Sequence, residues 1–298
     1  MSVSAAYPEL YHYTTATGLN GIIADDCIWA THYQFLNDSS EVHRFRPELV
    51  RRIMAHTSGM PQSNVEALVK TMYDELYGGG ETPARGEAFI TSFYGIRPDQ
   101  RDSYERAHGL LSQWRGYGQG GGYAIVFDTA KLERCLNEWL KRLSEKGLPL
   151  LDFILGDVAY HDRPAPEEFI EKCNAIAKAL GRLKNASAEV DRSHFVQAFK
   201  PFVSTACRFK DEGFAEENEV RSVTLIDVTR PPHIKLRERS GRLAPYIELC
   251  RGVGIRNAIT RVLVGPHPQE ERRKSVEMLL LAHGVRAGVD ASSIPYRP

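Results

Sequence analysis

Polar and aromatic side chains that can bind a ligand are crowded into one short segment near the amino terminus. The segment ELYHYTTATGLNGII, residues 9–23, places His12 between two tyrosines and just before two threonines. An imidazole and a hydroxyl can donate or accept hydrogen bonds, and phenol rings can stack on a ligand. Two interpretations fit these residue types: a strand edge with a structural histidine, or one wall of a ligand pocket.

Three further segments carry polar or aromatic residues where a core strand needs none. They contain Tyr33, Phe35, Asn37, Asp38 and Glu41 in HYQFLNDSSE, then Ser92, Trp114 and Tyr117 in FITSF and SQWRGYG, and finally Glu217, Glu219 and Arg221 in FAEENEVRSVTL. These three segments and the first one together define a candidate site.

Strand periodicity decides which of these side chains can face a common pocket. Alternation predicts that Glu217, Glu219 and Arg221 share one strand face, where Arg221 would keep a carboxylate ionised or bind a phosphate. On the first strand we expect His12 and Thr14 to face the ligand, and the flanking tyrosines to lie partly in the core.

Each of these residues also has a purely structural interpretation. A histidine flanked by tyrosines is more often structural, and NEVR can be an exposed strand with a weak cross-strand ion pair. Asn37 and Asp38 can cap a helix. Trp114 can anchor the core beneath the glycine-rich loop that follows it. Only the joint occurrence of the four segments favours a pocket.

The composition is typical of a globular protein. Of 298 residues, 42% are hydrophobic and 26% charged, and Lys plus Arg equals Asp plus Glu. A net charge of zero argues against a broad non-specific grip on nucleic acid. The five cysteines are scattered without a C-x-x-C pair, which predicts free thiols in the cytoplasm. We expect no metal site, no secretory signal in MSVSAAYPEL and no membrane-spanning segment.

Hydrophobic periodicity predicts an α+β fold. Strands are predicted at ELYHYT, CIWATH, EAFITSFYG, GYAIVFD, LLDFILGDVAY, EVRSVTLI, PYIELC, AITRVLVGP and GVRAGVD, and amphipathic helices between them, with Thr17 and Thr129 as caps. The elements lack a regular β-α-β rhythm. We therefore predict one domain over residues 1–298, with a central, mainly antiparallel sheet and a helical insertion at about 165–208. GYGQGG at 116–121 matches G-x-G-x-x-G, but a helix precedes it and a strand follows, unlike a dinucleotide fingerprint.

The chain resembles the bacterial family catalogued as domain of unknown function 2971. The resemblance covers most of the chain and rests on LYHYT, THYQFLNDSSE, SFYG with LLSQWRGYGQGGGYAIVFD, FKDEGFAEENEVRSV and ITRVLVGPHPQEERRKSVEMLLLAHGV, in that order. The stretch around 165–200 is less typical of the family. The family is in turn remotely similar to the ADP-ribosyltransferase superfamily, which implies a split sheet that binds NAD as a co-substrate.

The superfamily resemblance implies roles for individual residues. One branch uses a strand histidine, an aromatic residue and a late glutamate, which match His12, Tyr33 or Tyr117, and Glu219. The ENE at 217–219 also looks like the E-x-E of another branch, which has an arginine where His12 stands. The implied catalytic residues are Glu219, His12 and Glu217, and the implied NAD-binding residues are His12, Tyr13, Thr14, Tyr33, Asn37, Ser92, Trp114, Tyr117 and Arg221.

The chemistry implied by the resemblance suits these residue types. Cleaving nicotinamide from NAD builds positive charge on the ribose, much as glycoside hydrolysis does. A fixed carboxylate such as Glu219 can stabilise that charge, and His12 can donate a hydrogen bond to a ribose hydroxyl. We expect transfer of ADP-ribose to a protein or nucleic-acid acceptor, in a toxin or phage-defence context that leaves room for a neutralising partner protein.

Two other functions stay open at this point. The first is a non-catalytic module that senses a nucleotide or a partner protein. The second is a nucleic-acid-processing enzyme, whose basic surface would come from Arg44, Arg46, Arg51 and Arg52 and from Arg272, Arg273 and Lys274.

Overall fold

A computed structural model describes residues 2–36, 41–56, 60–76, 86–100, 102–117, 122–148, 150–181, 192–227, 234–239, 241–267 and 270–295. In these ranges the α-helices are α1 Val3–Ala6, α2 Ala16–Asp25, α3 Glu41–His56, α4 Gln62–Leu76, α5 Tyr104–His108, α6 Leu111–Tyr117, α7 Thr129–Glu145, α8 Glu167–Gly181, α9 Arg192–Ala206 and α10 Glu271–Ala282. The strands are β1 Glu9–Thr14, β2 Ile28–His32, β3 Gly86–Ile96, β4 Tyr123–Asp128, β5 Leu150–Asp157, β6 Ala159–Tyr160, β7 Phe209–Lys210, β8 Glu219–Asp227, β9 Lys235–Arg239, β10 Arg242–Leu249, β11 Ile259–Val264 and β12 Gly288–Ala291. No helix in the described ranges combines the length and the apolar character needed to cross a membrane.

Most of the strands form one large sheet. Its path is β12-β11-β4-β1-β3-β2-β10-β9, and β8 pairs with β3 and also with β5. All pairings in this sheet are antiparallel except that of β11 with β12. The predicted α+β class with a mainly antiparallel central sheet is therefore confirmed.

The sheet divides along β3, because β1 and β2 pair with different ends of the same edge of this strand. β1 pairs with residues 94–96 of β3, and β2 pairs with residues 89 and 90. Between these two ladders, residues 91–93 pair with β8 on the other edge. β1 and β2 thus diverge over three residues and leave an opening between them.

One apolar cluster joins the helices of the predicted insertion to the amino-terminal helices. Phe45 and Leu49 of α3 and Met72 of α4 share this cluster with Phe169 of α8 and Phe202 of α9. Burial of each such side chain contributes about 1.5–3 kcal/mol. α8 and α9 therefore help to build the core over β3, β5 and β8.

A second apolar cluster supports the other half of the sheet. Leu19 and Ile22 of α2, Leu136 of α7 and Leu280 of α10 pack in it against strand residues such as Ile125. Since α2 follows β1 directly, this packing also fixes the end of the strand that carries His12.

Both predicted helix caps were wrong. α2 is capped by Thr15, and α7 by Asp128; each side chain accepts a hydrogen bond from the backbone N–H three residues later. Thr17 and Thr129 lie inside the helices. In both cases the helix follows a strand without an intervening loop, so the last extended residue takes the cap position.

Three element boundaries also differ from the prediction. The single helix predicted over ERAHGLLSQWRGYG is broken at Gly109 into α5 and α6, because Gly109 has a φ of 79°. The strand predicted over LLDFILGDVAY is divided into β5 and β6. The sequence KLRER forms the edge strand β9, which was not predicted, because its charges alternate with few apolar residues.

Candidate functional site

A cleft of about 640 Å³ opens where β1 and β2 diverge along β3. Pockets that bind small ligands span about 300–1,000 Å³, so the cleft has a suitable size. Its wall includes His12, Thr14, Ser92, Tyr117, Glu217 and Glu219. Side chains that are far apart in the sequence therefore meet in one place.

His12 occupies the gap between the two ladders of β3. Its Nδ1 lies 3.0 Å from the carbonyl oxygen of Ser92. Because a carbonyl oxygen only accepts, Nδ1 carries the proton and Nε2 is left as the acceptor of the neutral ring. Burial lowers the pKa of His12, the hydrogen bond with Ser92 raises it, and the charge of Arg237 lowers it. Together they bring the pKa to about 4. The neutral imidazole therefore offers Nε2 as an acceptor to a ligand, whereas the sequence had predicted that His12 donates a hydrogen bond.

Strand alternation orients the neighbours of His12 as the sequence indicates. The rings of Tyr11 and Tyr13 are buried, while His12 and Thr14 are partly exposed and line the cleft. The hydroxyl of Tyr13 accepts a hydrogen bond from the backbone N–H of Leu110 at 2.8 Å. Tyr13 therefore contributes to the cleft wall while its ring is held in the core.

Glu219 is a buried carboxylate that is held by two cations. Arg221 donates from Nε to Oε1 at 2.7 Å and from Nη2 to Oε2 at 3.1 Å, and Lys210 Nζ lies 3.1 Å from Oε2. Burial raises the pKa of this carboxyl, but the charges of Arg221 and Lys210 and hydrogen bonds from Arg221 and Ser92 outweigh it and lower the pKa to about 2. Glu219 is therefore ionised at neutral pH.

Glu217 reaches the cleft by a turn and does not share a strand face with Glu219, so that prediction was wrong. It ends a 3-10 helix over Glu212–Glu217, and Asn218 follows in the left-handed region with a φ of 39°. Asn218 is fixed to β3 because its Nδ2 donates to the carbonyl of Gly95 at 2.6 Å. Lys210 Nζ, 2.6 Å from Oε2 of Glu217, bridges the two glutamates. Burial raises the pKa of Glu217, and Lys210 opposes this.

Arg221 lies behind Glu219 and does not line the cleft. Its Nη1 donates to the carbonyl of Cys207 at 2.8 Å, and its other nitrogens bind Glu219. Two roles were predicted for Arg221. Its position allows it to keep the Glu219 carboxylate ionised. The same position does not allow a direct contact with a phosphate in the cleft.

Two predicted binding residues are structural in their contacts. Tyr33 is buried outside the cleft, and its hydroxyl donates to the carbonyl of Leu76 at 3.0 Å. Trp114 is also buried outside the cleft, where its Nε1 donates to the carbonyl of His108 at 3.0 Å. Asn37 lies outside the described residues. Of Tyr33, Trp114 and Tyr117, only Tyr117 lines the cleft.

Tyr117 lies close to the charged part of the site. Burial raises its pKa, and Glu219, followed by Lys210 and Glu217, acts on it electrostatically. Tyr117 also interacts with the charge of Arg239. Tyr117 therefore lies in the same cleft as the two glutamates and near Arg239, which belongs to a second charged wall.

That second wall was missed by the sequence analysis. Arg237 and Arg239 of β9 line the same cleft. Arg237 Nη2 donates to Oγ1 of Thr31 at 2.7 Å, and its guanidinium lies 4.9 Å from the centre of the Trp29 ring. The motif KLRER contains the signal, since residues 235, 237 and 239 are cations at strand spacing, but without the sheet order nothing indicates what they face.

One cluster in the described residues has the residue types of a metal site. Asp25, Cys27 and Glu248 place ligand atoms within 4.8 Å of one another. Glu248 is already paired with Lys235 at 2.8 Å and with Arg251. Burial raises the pKa of the Cys27 thiol to about 12, which disfavours the thiolate that metals bind. These contacts argue for a structural cluster.

The two basic clusters considered as a nucleic-acid surface are partly neutralised by carboxylates on the same helices. On α3, Arg51 and Arg52 both pair with Glu48, and on α10 Arg273 pairs with Glu277. Surface ion pairs of this kind are typical of solvated helix faces.

The model of a family described as protein of unknown function (DUF2971) matches residues 113–222. The match supports the resemblance to that family, over a shorter part of the chain than the sequence motifs suggested. It contains Tyr117, Glu217 and Glu219, and it does not extend to His12 or to β9. No curated protein and no solved structure matches the chain.

Proposed function

We propose that the chain is an ADP-ribosyltransferase-like enzyme that binds NAD in the cleft and transfers ADP-ribose to a macromolecular acceptor. The observation that carries this proposal is the meeting of His12 and Glu219 in one cleft at the division of the sheet. A strand histidine and a late glutamate are the pair that the remote resemblance implies, and the cleft has a size suited to a nucleotide.

Glu219 would stabilise the charge that develops on the ribose. As the bond from ribose C1′ to nicotinamide breaks, its electron pair leaves with the nicotinamide, and C1′ becomes positive. Glu219 is ionised and fixed by Arg221 and Lys210, so its charge needs no reorganisation during the reaction. The acceptor's nucleophile would then bond to C1′ and release a proton, which the neighbouring carboxylate of Glu217 would take.

His12 and Tyr117 would orient the ligand. The neutral His12 presents Nε2 as an acceptor for a ribose hydroxyl, since Nδ1 is committed to Ser92. Tyr117 lines the cleft near Glu219 and can stack on the nicotinamide ring.

The test of this proposal is release of nicotinamide from NAD, measured with acceptor fractions of protein and of nucleic acid. We expect turnover by the unmodified chain and a loss of about 100-fold or more in Glu219→Gln, the scale seen when one electrostatic group is removed from a transition-state site. Glu216→Gln is the matched control, because Glu216 is exposed and lies outside the cleft. A chain that neither binds NAD nor releases nicotinamide with any of these acceptors contradicts the proposal.

The toxin or phage-defence context has a separate test. We expect expression of the unmodified chain in bacteria to arrest growth and expression of Glu219→Gln to permit it. Equal growth with both chains would contradict the toxin or phage-defence context. It would leave the proposed transfer of ADP-ribose untouched.

A non-catalytic nucleotide sensor is the second candidate function. The observation that favours it is that both carboxylate oxygens of Glu219 already hold ion pairs, one with Arg221 and one with Lys210. Calorimetry with NAD and ADP-ribose separates the two candidates. A sensor binds both ligands without turnover, and Glu219→Gln leaves its affinity unchanged.

A further inference from the structure

We propose that Arg237 and Arg239 form an anion-binding subsite of the cleft, which takes the diphosphate group of a nucleotide. This inference deepens the proposed function. It rests on that function because it takes a single ligand to occupy the whole cleft. It assigns a role to β9, which lies outside the stretch matched by the family model.

The spacing of the cations on β9 points two of them into the cleft. Strand alternation places Lys235, Arg237 and Arg239 on one face. Lys235 is held by Glu248 on the neighbouring β10 at 2.8 Å. The other two line the cleft, and alternate residues of a strand lie about 7 Å apart. From that spacing, two side chains as long as arginine can converge on one diphosphate.

Arg237 is held in place before any ligand arrives. Its guanidinium lies 4.9 Å from the centre of the Trp29 ring and 5.6 Å from that of Tyr246, and Nη2 donates to Oγ1 of Thr31. Aromatic stacking of this kind fixes a guanidinium without neutralising its charge. Arg237 therefore loses little conformational entropy when it binds an anion.

The charge of Arg237 is not compensated within the described part of the chain. Its Nε is buried and has no hydrogen-bond partner there, and no carboxylate in that part forms an ion pair with Arg237. Burial and the neighbouring charge of Arg239 lower the pKa of Arg237 to about 10, so it remains charged at neutral pH. The intervening Glu238 also lines the cleft, and its Oε1 accepts a hydrogen bond from the backbone N–H of Gly241 at 2.6 Å, at the turn of the hairpin. An anionic ligand in the cleft would supply the countercharge that Arg237 lacks in this part of the chain.

The arginine subsite and the proposed reaction centre are within reach of one ligand. Arg237 is near enough to His12 for its charge to lower the pKa of the imidazole. Tyr117 interacts electrostatically with both Arg239 and Glu219. A ligand whose ribose contacts His12 and Glu219 can therefore extend its phosphates toward β9.

Calorimetric titration with ADP-ribose, inorganic diphosphate and adenosine tests this subsite. We expect Arg237→Gln and Arg239→Gln each to weaken ADP-ribose binding about 10-fold or more, the double variant to lose diphosphate binding, and adenosine binding to stay unchanged. Arg242→Gln is the matched control, because Arg242 is exposed on the same hairpin and lies outside the cleft. Thermal unfolding of each variant reports folding, and Arg239→Gln is the variant that spares the stack on Trp29.

The outcomes for this inference and for the proposed function are distinct. Unchanged ADP-ribose affinity in both arginine variants overturns the subsite, as does a failure of the unmodified chain to bind ADP-ribose or diphosphate. If these ligands bind through Arg237 and Arg239 but nicotinamide is never released, the subsite stands and the transferase proposal fails. If the arginine variants release nicotinamide with an unchanged KM, the transferase stands and the subsite falls.

Discussion

Glu219→Gln is expected to remove an acid-dependent part of the free energy of unfolding. The carboxylate is buried and bound by Arg221 and Lys210, and its pKa is lowered from the ordinary value of 4.5 to about 2. Because the ionised form is favoured in the folded state, this carboxylate stabilises the fold above pH 4.5. The stabilisation is lost as the pH falls from 4.5 toward 2.

The size of the effect follows from the same shift. Each pKa unit corresponds to about 1.4 kcal/mol, so the difference between 4.5 and about 2 gives about 3 kcal/mol. The isosteric glutamine leaves Arg221 and Lys210 buried without their shared carboxylate, and removing one member of a buried ion pair costs about 3–5 kcal/mol. We therefore expect Glu219→Gln to be less stable than the unmodified chain by about 3 kcal/mol at pH 7, and the two chains to converge near pH 2.

Equilibrium unfolding in urea, followed by tryptophan fluorescence from pH 7 down to pH 3, measures this convergence. Glu216→Gln serves as the control, because Glu216 is exposed and the same charge is removed three residues away. We expect its unfolding curve to follow that of the unmodified chain at every pH. A difference between Glu219→Gln and the unmodified chain that stays constant from pH 7 to pH 3 would refute the reasoning.

Three further predictions concern His12, Tyr33 and Gly109. Because partial burial in the cleft lowers the pKa of His12 to about 4, ADP-ribose affinity should be flat from pH 8 to about 5.5 and fall only below that, as the imidazole gains a proton. A fall in affinity centred near pH 6.5 would contradict a ring that the cleft keeps neutral. Tyr33→Phe should lower the free energy of unfolding by about 1 kcal/mol, because the hydrogen bond to the carbonyl of Leu76 is lost. It should leave ADP-ribose affinity unchanged. Weaker ADP-ribose binding would show that Tyr33 belongs to the binding site. Gly109→Ala should destabilise the chain by about 1–3 kcal/mol in urea unfolding, because the φ of 79° disfavours a side chain and a Cβ would lie 2.7 Å from Nε1 of Trp114. An unchanged unfolding midpoint would argue against the break between α5 and α6 at Gly109.

The local part of the site could be predicted from the sequence because it depends on strand periodicity. β1 is a short alternating strand, so the separation of His12 and Thr14 from the two tyrosines follows from the pleat alone. The role of Glu219 as the late glutamate came from the remote resemblance, and periodicity predicted only the strand that carries it, which is β8 from Glu219 to Asp227. The remote resemblance implied a split sheet without saying where, and the divergence of β1 and β2 along β3 depends on long-range pairing, which periodicity does not contain.

The parts that could not be predicted depend on backbone exceptions and on sheet order. A left-handed Asn218 separates Glu217 from the strand, and a left-handed Gly109 divides one expected helix into two. Arg237 was missed because an edge strand with alternating charges resembles an exposed loop, and only the pairing of β9 with β10 shows that it faces the cleft. Tyr33 and Trp114 were assigned to the ligand because a sequence shows that an aromatic residue is present but not which carbonyl its polar atom reaches.

The most direct measurement of the central claim is a crystal structure of the chain soaked with NAD or ADP-ribose. We expect one ribose to lie within hydrogen-bond distance of both His12 Nε2 and the Glu219 carboxylate, in the opening between β1 and β2. Ligand bound elsewhere on the protein, or a ribose that contacts only one of these two residues, would contradict it.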